Sequence, residues 1–231
     1  MADSINPRLV ETLSAYNMPA QGLKLLHDHP PLIIAGITAA GKDTITERIV
    51  QLSDYRQVAD HTTRPPRPGE INGQHYWFIN ETAMLNLLSN HQLFEASLVH
   101  GVTVYGSSLE AYQAVLDSGR KPLFIMDVQG IEKLMNKVPN LKPVFLLPPS
   151  FDEWLRRLNT RLHMTDAERR HRFNSAIAEL EHVREHPSYQ LIVNKNVAST
   201  VKVILGEVKS DQKEAQETLD KLLQSIQEVI H

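Results

Sequence analysis

The chain has 231 residues, 42% of them hydrophobic and 22% charged, with a formal net charge of −3. That length and composition suit one globular α/β unit with small inserted lobes, and the slightly acidic balance points away from a general binder of nucleic acid or other polyanions. The absence of cysteine excludes disulfides and thiolate metal sites.

Met1 to Asn17 carries Asp3 and Glu11 and lacks a basic start with an apolar core, so it does not read as a secretory signal. No apolar run approaches the roughly 20 residues that span a bilayer. The expectation is a cytoplasmic protein without membrane partners. Residues 5–29 predict a helical lead-in broken near Pro19, with Leu9, Val10, Leu13, Leu23, Leu25 and Leu26 as its apolar positions. Pro30 and Pro31 end it. It is expected to pack on the core or on a second subunit.

An apolar run, Leu32-Ile33-Ile34-Ala35, closes at Gly36 and is followed by Ile37-Thr38-Ala39-Ala40-Gly41-Lys42-Asp43-Thr44 and a helical pattern. Strand, Gly-bounded loop, Lys and helix come in the order of a P-loop. The glycines allow the backbone to curl around a phosphate, the loop amides and the helix N-terminus attract it, and Lys42 supplies a mobile ammonium. The nucleotide-binding set is Gly36, Ala39, Ala40, Gly41, Lys42, Asp43 and Thr44. Asp43 stands where Ser or Thr usually follows the Lys as a magnesium ligand, leaving Thr44 as the candidate hydroxyl. Gly-Lys-Asp resembles the P-loop of ribose bisphosphate kinases.

A short strand is predicted at Tyr55–Ala59, followed by a Pro- and Gly-rich segment. There Arg64 and Arg67 stand three apart in a stiff loop, a pair suited to gripping a doubly charged phosphate, and Tyr76 offers a hydroxyl. Glu81 to Leu88 predicts a helix, and Phe94 to Tyr105 a hairpin around Gly101. Ser107-Ser108-Leu109-Glu110 reads as a capping box opening a helix to about Asp117. Pro122–Met126 and Val144–Leu147 read as buried parallel strands, with Asp127 at the carboxyl end of the first, where open α/β sheets place ligands. Capping boxes at Ser150–Glu153 and Thr165–Glu168 open two Arg-rich helices. Such helices usually present solvated faces; two meeting at a turn also make a mobile cationic lid. His182 and His186 share a helix face but lack the Glu of a metalloprotease helix, so they read as surface residues. From Gly206 the chain ends in a helix whose face of Ala215, Leu219, Leu222, Leu223, Ile226 and Val229 requires burial, more by the core than by a partner helix.

Residues 62–78, Thr-Thr-Arg-x-x-Arg-x-x-Glu-x-x-Gly-x-x-Tyr-x-Phe, resemble the signature of guanylate kinases in full. Leu93-Phe94-Glu95, Tyr105-Gly106-Ser107, Phe124 to Gly130, Pro148-Pro149-Ser150 and Val193-Asn194 continue the likeness. The resemblance implies an α/β fold, a P-loop parallel sheet with helices on both faces plus small NMP-binding and lid lobes. The predicted organisation is a helical extension at 1–30, a kinase-like domain at 31–205 with an NMP lobe at 61–106 and a lid at 150–173, and a C-terminal helix at 206–231. It implies ATP-dependent phosphorylation of GMP or dGMP with Mg2+, held by Thr44 and Asp127. The monophosphate would be bound by Asp60, Arg64, Arg67, Tyr76, Glu95, Tyr105, Ser107 and Asp127, and Lys42, Arg67, Arg157, Arg161 and Arg172 would act in transfer. Nucleotides are the implied partners, with a homodimer as a further expectation.

Two base-proximal positions depart from the family. A Ser usually stands at Asp60 and donates toward guanine O6, and an Asp usually stands at Ile125. An ionised carboxylate facing an acceptor is repulsive. This leaves a changed acceptor (another base or ribose 1,5-bisphosphate) and a non-catalytic nucleotide-binding or scaffold domain as alternatives. Retention of Lys42 and of the lid arginines argues for the enzyme.

Overall fold

A computed structural model describes residues 5–67, 69–99, 101–161 and 164–230, and in the last residue of the helix ending at 161 it describes the backbone alone. The chain begins with α1 (Pro7–Ser14) and α2 (Ala20–Asp28), on either side of the Pro19 break. Asn6 caps α1 by accepting from the Arg8 N–H, and Pro7 occupies the first helical position, where its missing N–H costs nothing. Then follow β1 (Leu32–Gly36), α3 (Lys42–Leu52), β2 (Tyr55–Gln57), β3 (Asp60–Thr62), β4 (Tyr76–Phe78), α4 (Glu81–Ser89), β5 (Leu93–Val99), β6 (Thr103–Ser108) and α5 (Leu109–Asp117). The remainder is β7 (Lys121–Ile125), α6 (Val128–Met135), β8 (Val144–Leu147), α7 (Phe151–Arg161), α8 (Asp166–Glu185), β9 (Gln190–Val193), α9 (Val197–Ile204) and α10 (Gln212–Ile230).

The chain divides into two compact units. One comprises Leu32–Asp54, Ile125–Val128 and Lys142–His231. Its strands β1, β8 and β9 pair in parallel, with Ile34 opposite Val144 and Leu147 opposite Val193. They read as continuous apolar runs because helices cover the sheet, and Ile33, Ile34, Phe145, Leu146 and Leu147 are buried. The apolar face of α10 is buried within this unit against α8 and β9, so the terminal helix belongs to the core. Val229, counted in that face from sequence, is exposed. Thr165 and Glu168 form a complete reciprocal capping box at α8, as their spacing predicts.

The other unit comprises Met1–Pro31, Tyr55–Phe124 and Gln129–Leu141. Here β2 and β7 pair in parallel, and a four-stranded sheet runs in the order β4-β3-β6-β5. The β5–β6 hairpin is antiparallel, as is β3–β6, whereas β3 and β4 are parallel. Leu9, Met84, Leu88, Leu93, Ala96 and Val104 form its buried cluster, so the N-terminal helices pack on this small sheet. Fully burying Leu9 contributes about 2 kcal/mol. Tyr16 locks the arrangement to β5: its hydroxyl donates to the Leu93 carbonyl at 2.6 Å and accepts from the Leu93 N–H at 3.0 Å.

One predicted cap is corrected. The N-cap of α5 is Ser108, which accepts from the Ala111 N–H. Ser107 lies on β6, and its hydroxyl is drawn to Asp60 instead. At α7 the Ser150 side chain accepts from the Glu153 N–H, but the Glu153 carboxylate turns to Arg156 and Arg157 rather than back to the cap.

Candidate active site

The loop between β1 and α3 has the backbone that its composition predicts. Gly36 and Gly41 have φ of 149° and 100°, and Ala39 sits at 62°, a region that a residue bearing a Cβ seldom enters. A Cβ on Gly36 would approach the Leu146 carbonyl oxygen to 2.6 Å, and one on Gly41 would meet Asn194 Nδ2 at 2.5 Å. Lys42 opens α3, and its ammonium folds back to the carbonyls of Gly36 (2.5 Å) and Ile37 (3.2 Å). Asp43 and Thr44 are exposed on the first turn.

Groups distant in sequence brace this loop. Trp154, fully buried on α7, donates its indole N–H to the Thr38 carbonyl at 2.8 Å. Asn194, just after β9, donates to the Ala40 carbonyl at 2.9 Å and accepts from the Thr200 hydroxyl at 3.1 Å. Of the predicted lid arginines, Arg157 binds Glu153 at 2.7 Å and also reaches the carbonyls of Ala40 (3.4 Å) and Asn194 (3.2 Å). The Arg156 and Arg157 guanidiniums hold the Glu153 carboxyl down to about 2. Arg172 on α8 contacts the Thr38 hydroxyl at 3.5 Å, and its Nε is buried without a hydrogen-bond partner among the described residues. The side chain of Arg161 lies outside the described residues.

Asp127 is exposed after β7 and belongs to the unit that carries the loop. It shares an electrostatic environment with a residue that sequence reading missed. Burial pushes the Glu179 carboxyl on α8 up to about 7; the Lys42 ammonium opposes that rise and Asp127 adds to it. Among the described residues no three His, Asp or Glu side chains gather as a metal cage. Thr44 and Asp127 carry hard oxygen donors, the ligand type that a magnesium ion takes.

The second set of predicted residues lies in the other unit. Arg64, about 10% exposed, makes a bidentate pair with Glu70 at 2.6 and 2.7 Å. Its Nε donates to the Tyr105 hydroxyl at 3.0 Å, and its guanidinium lies 4.9 Å from the Tyr76 ring centre and 5.3 Å from that of Phe78. Arg64 holds the Glu70 carboxyl down to about 2. Glu70 also accepts from the Arg67 backbone N–H at 2.7 Å, so it shapes the loop that carries both arginines. Arg67 itself is exposed. The structure thus groups Arg64, Tyr76 and Tyr105 around one fork of donors, and it separately groups Asp60, Glu95 and Ser107. Ser107 donates to Asp60 Oδ1 at 2.6 Å and lies 3.5 Å from Glu95 Oε1.

Glu70 belongs to the predicted signature without an assigned role, and its hydrogen-bonding capacity was the available signal. Asn194, Trp154 and Glu179 carry no local pattern that separates them from core or cap residues.

The family described as guanylate kinase matches residues 28–212. The guanylate kinase of Haemophilus influenzae is 32% identical over 183 residues, covering 78% of this chain and 87% of that protein. That of Escherichia coli K12 is 34% identical over 165 residues, covering 70% and 78%. In three dimensions the guanylate kinase of Anaplasma phagocytophilum is similar in fold, with a TM-score of 0.60 at 24% identity over 87% of this chain and 94% of that one. No described helix is long and apolar enough to cross a membrane.

Proposed function

Because the chain belongs to the guanylate kinase family, we propose that it transfers the γ-phosphoryl group of ATP to GMP, giving ADP and GDP. The observation that carries the reading is the braced β1–α3 loop, with Gly36, Ala39 and Gly41 at positive φ and Lys42 at the helix start. A changed acceptor and a scaffold without turnover are not favoured.

In this reading ATP occupies Gly36 to Thr44. Its phosphates replace the loop carbonyls as partners of Lys42. A GMP phosphate oxygen attacks the γ-phosphorus while the bond to the β–γ bridging oxygen breaks. The transition state spreads charge over the transferring group and needs positioning and cations more than covalent help. Lys42, Arg157, Arg161 and Arg172 supply that charge. Arg64, Arg67, Tyr76 and Tyr105 grip the acceptor phosphate, with Arg67, which is exposed, the more available of the two arginines. Glu95, Ser107 and Asp60 read the base. Mg2+, when bound with ATP, neutralises phosphate charge, and Thr44 and Asp127 are the residues that would hold it, directly or through water. The reading places the enzyme in the cytoplasm with its nucleotide substrates.

The test is a coupled ADP-release assay with GMP, dGMP, AMP, CMP, UMP and ribose 1,5-bisphosphate as acceptors. Turnover with GMP or dGMP above the rest is expected. Turnover with ribose 1,5-bisphosphate and none with GMP would overturn the assignment.

A further inference from the structure

β5 is the outer strand of the small sheet, and its register slips near its start. Leu93 lies opposite Ser108 and Glu95 opposite Ser107, so Phe94 is an extra residue and the strand is bulged there. The consequence follows from the two-residue period of a strand. Leu93 and Ala96 both belong to the buried cluster that includes Leu9 of α1. Three residues apart, they would point to opposite faces of a regular strand. The bulge puts them on one face. Glu95 falls on the other, where the hydroxyls of Ser97 and Ser107 lie 3.2 and 3.5 Å from its carboxylate. In a regular strand anchored at Leu93, Glu95 would face the apolar cluster.

Two aromatic side chains hold the bulge. The Phe94 ring is buried, 4.9 Å from that of Tyr112 and 5.9 Å from that of Phe124. The other is Tyr16, which follows α1 in the N-terminal helical segment. Its hydroxyl donates to the Leu93 carbonyl at 2.6 Å and accepts from the Leu93 N–H at 3.0 Å. One side chain thus stands in for the neighbour that an outer strand lacks. Its ring stacks on His91 at 5.9 Å. His91 lies in the turn between α4 and β5 and has a φ of 51°, which residues with a Cβ seldom adopt. Tyr16 therefore spans both the turn and the first residue of the bulge. Burial pushes its phenol above the ordinary value; the Leu93 backbone bond opposes that rise and the Glu95 carboxyl adds to it. The proton needed by the Leu93 carbonyl stays on the oxygen.

Guanine presents two neighbouring donors, N1–H and the 2-amino group, and the two oxygens of a carboxylate suit them. Both bonds form only if the carboxylate is held at one position and angle. We propose that Tyr16 is a positioning residue for Glu95: by fixing Leu93 and the bulge it aims the carboxylate at the guanine edge, so that the N-terminal segment contributes to base selectivity. Tyr16 precedes the residues matched by the family, 28–212, so this brace comes from outside the matched domain. The inference rests on the reading in which Glu95 contacts the base of GMP.

The experiment uses the full chain and Tyr16→Phe, which keeps the ring and loses the hydroxyl. GMP and inosine monophosphate share N1–H and O6, and the second lacks the 2-amino group. Their affinity ratio therefore reports how well the carboxylate meets both donors. Kd for each is measured by calorimetry, beside KM for ATP and a thermal melt. Tyr16→Phe is expected to reduce the preference for GMP about five- to tenfold and to leave KM for ATP unchanged. Glu95→Gln should reduce the preference as well, and in that background Tyr16→Phe should change it no further.

A lowered melting temperature with the preference intact would make Tyr16 a structural prop and overturn the inference. So would an equal further fall in the Glu95→Gln background, since Tyr16 would then act by another route. Should Tyr16→Phe not fold, Tyr16→His is read by the same ratio. If Glu95→Gln leaves the preference intact while GMP still binds, the base-reading assignment of Glu95 is overturned instead, and the inference falls with it.

Discussion

Replacing Glu179 with Gln should stabilise the protein at alkaline pH and do little in acid. The carboxyl stands at about 7 against an ordinary 4.5, chiefly because burial disfavours its charged form, with Asp127 adding repulsion and Lys42 returning part of the cost. The sign follows from proton counting. Below about pH 4.5 the group is protonated folded and unfolded, and it contributes nothing. Between 4.5 and 7 the folded state binds more protons, so stability falls as pH rises. Above 7 the whole penalty is present. A difference of roughly 2.5 pH units at 1.36 kcal/mol each is about 3 kcal/mol, an upper figure. Glu179→Gln, isosteric and neutral, removes this term. In urea unfolding at pH 8 the variant should be more stable by about 1–3 kcal/mol, and at pH 4 by less than about 0.5 kcal/mol. A stability difference that does not change with pH would show that Glu179 does not bear a burial penalty.

Lys42→Ala should abolish turnover and leave unfolding nearly unchanged, since its side chain meets loop carbonyls rather than the apolar core; unchanged turnover in the folded variant would end the P-loop assignment. Arg64→Ala and Arg67→Ala should each raise KM for GMP well above any change for ATP, but only Arg64→Ala should also destabilise the fold, by about 1.5–3 kcal/mol, because it strands Glu70. Equal effects on both substrates would remove them from the acceptor site. Arg172→Ala should lower kcat far more than it changes ATP affinity, by up to about 10³–10⁵ if it meets the transferring group; a loss confined to binding would make Arg172 a latch on Thr38.

What could be read from sequence was local. Gly36, Gly41 and Lys42 are close in the chain, and the strand, turn and helix they punctuate are formed by the same short stretch, so their geometry followed. The signature from Thr62 to Phe78 likewise carries its loop in its own Pro, Gly and Arg residues. Chemistry assembled from afar was not legible. The amphipathic N-terminal helices showed a face needing cover, but not that α4 and β5 provide it, nor that Tyr16 would clasp Leu93. Ser107 and Ser108 offer the same hydroxyl to α5; the difference is that Asp60 competes for Ser107 from another strand. Glu179 reads as an ordinary helix carboxylate, and only burial beside Lys42 and Asp127 sets it apart.

The loop's capacity for phosphate depends on donors behind it. In a planar trans peptide the C=O and the following N–H point in opposite directions. Trp154 takes the Thr38 carbonyl, and Asn194 with Arg157 takes that of Ala40, so the amides of Ala39 and Gly41 are turned away from those braces. The nucleotide then meets a loop already shaped, and little ordering entropy is lost on binding. Asn194→Ala removes the bond to Ala40 and leaves the buried Thr200 hydroxyl unpaired, costing about 1–3 kcal/mol. Asn194→Asp keeps an acceptor for Thr200 but sets a carboxylate against the Ala40 carbonyl, so its damage should fall more on the loop. Both should raise KM for ATP by about tenfold or more, Asn194→Asp with the smaller loss of stability per fold of KM. Unaltered KM for ATP in the two folded variants would mean that the loop holds its shape without Asn194.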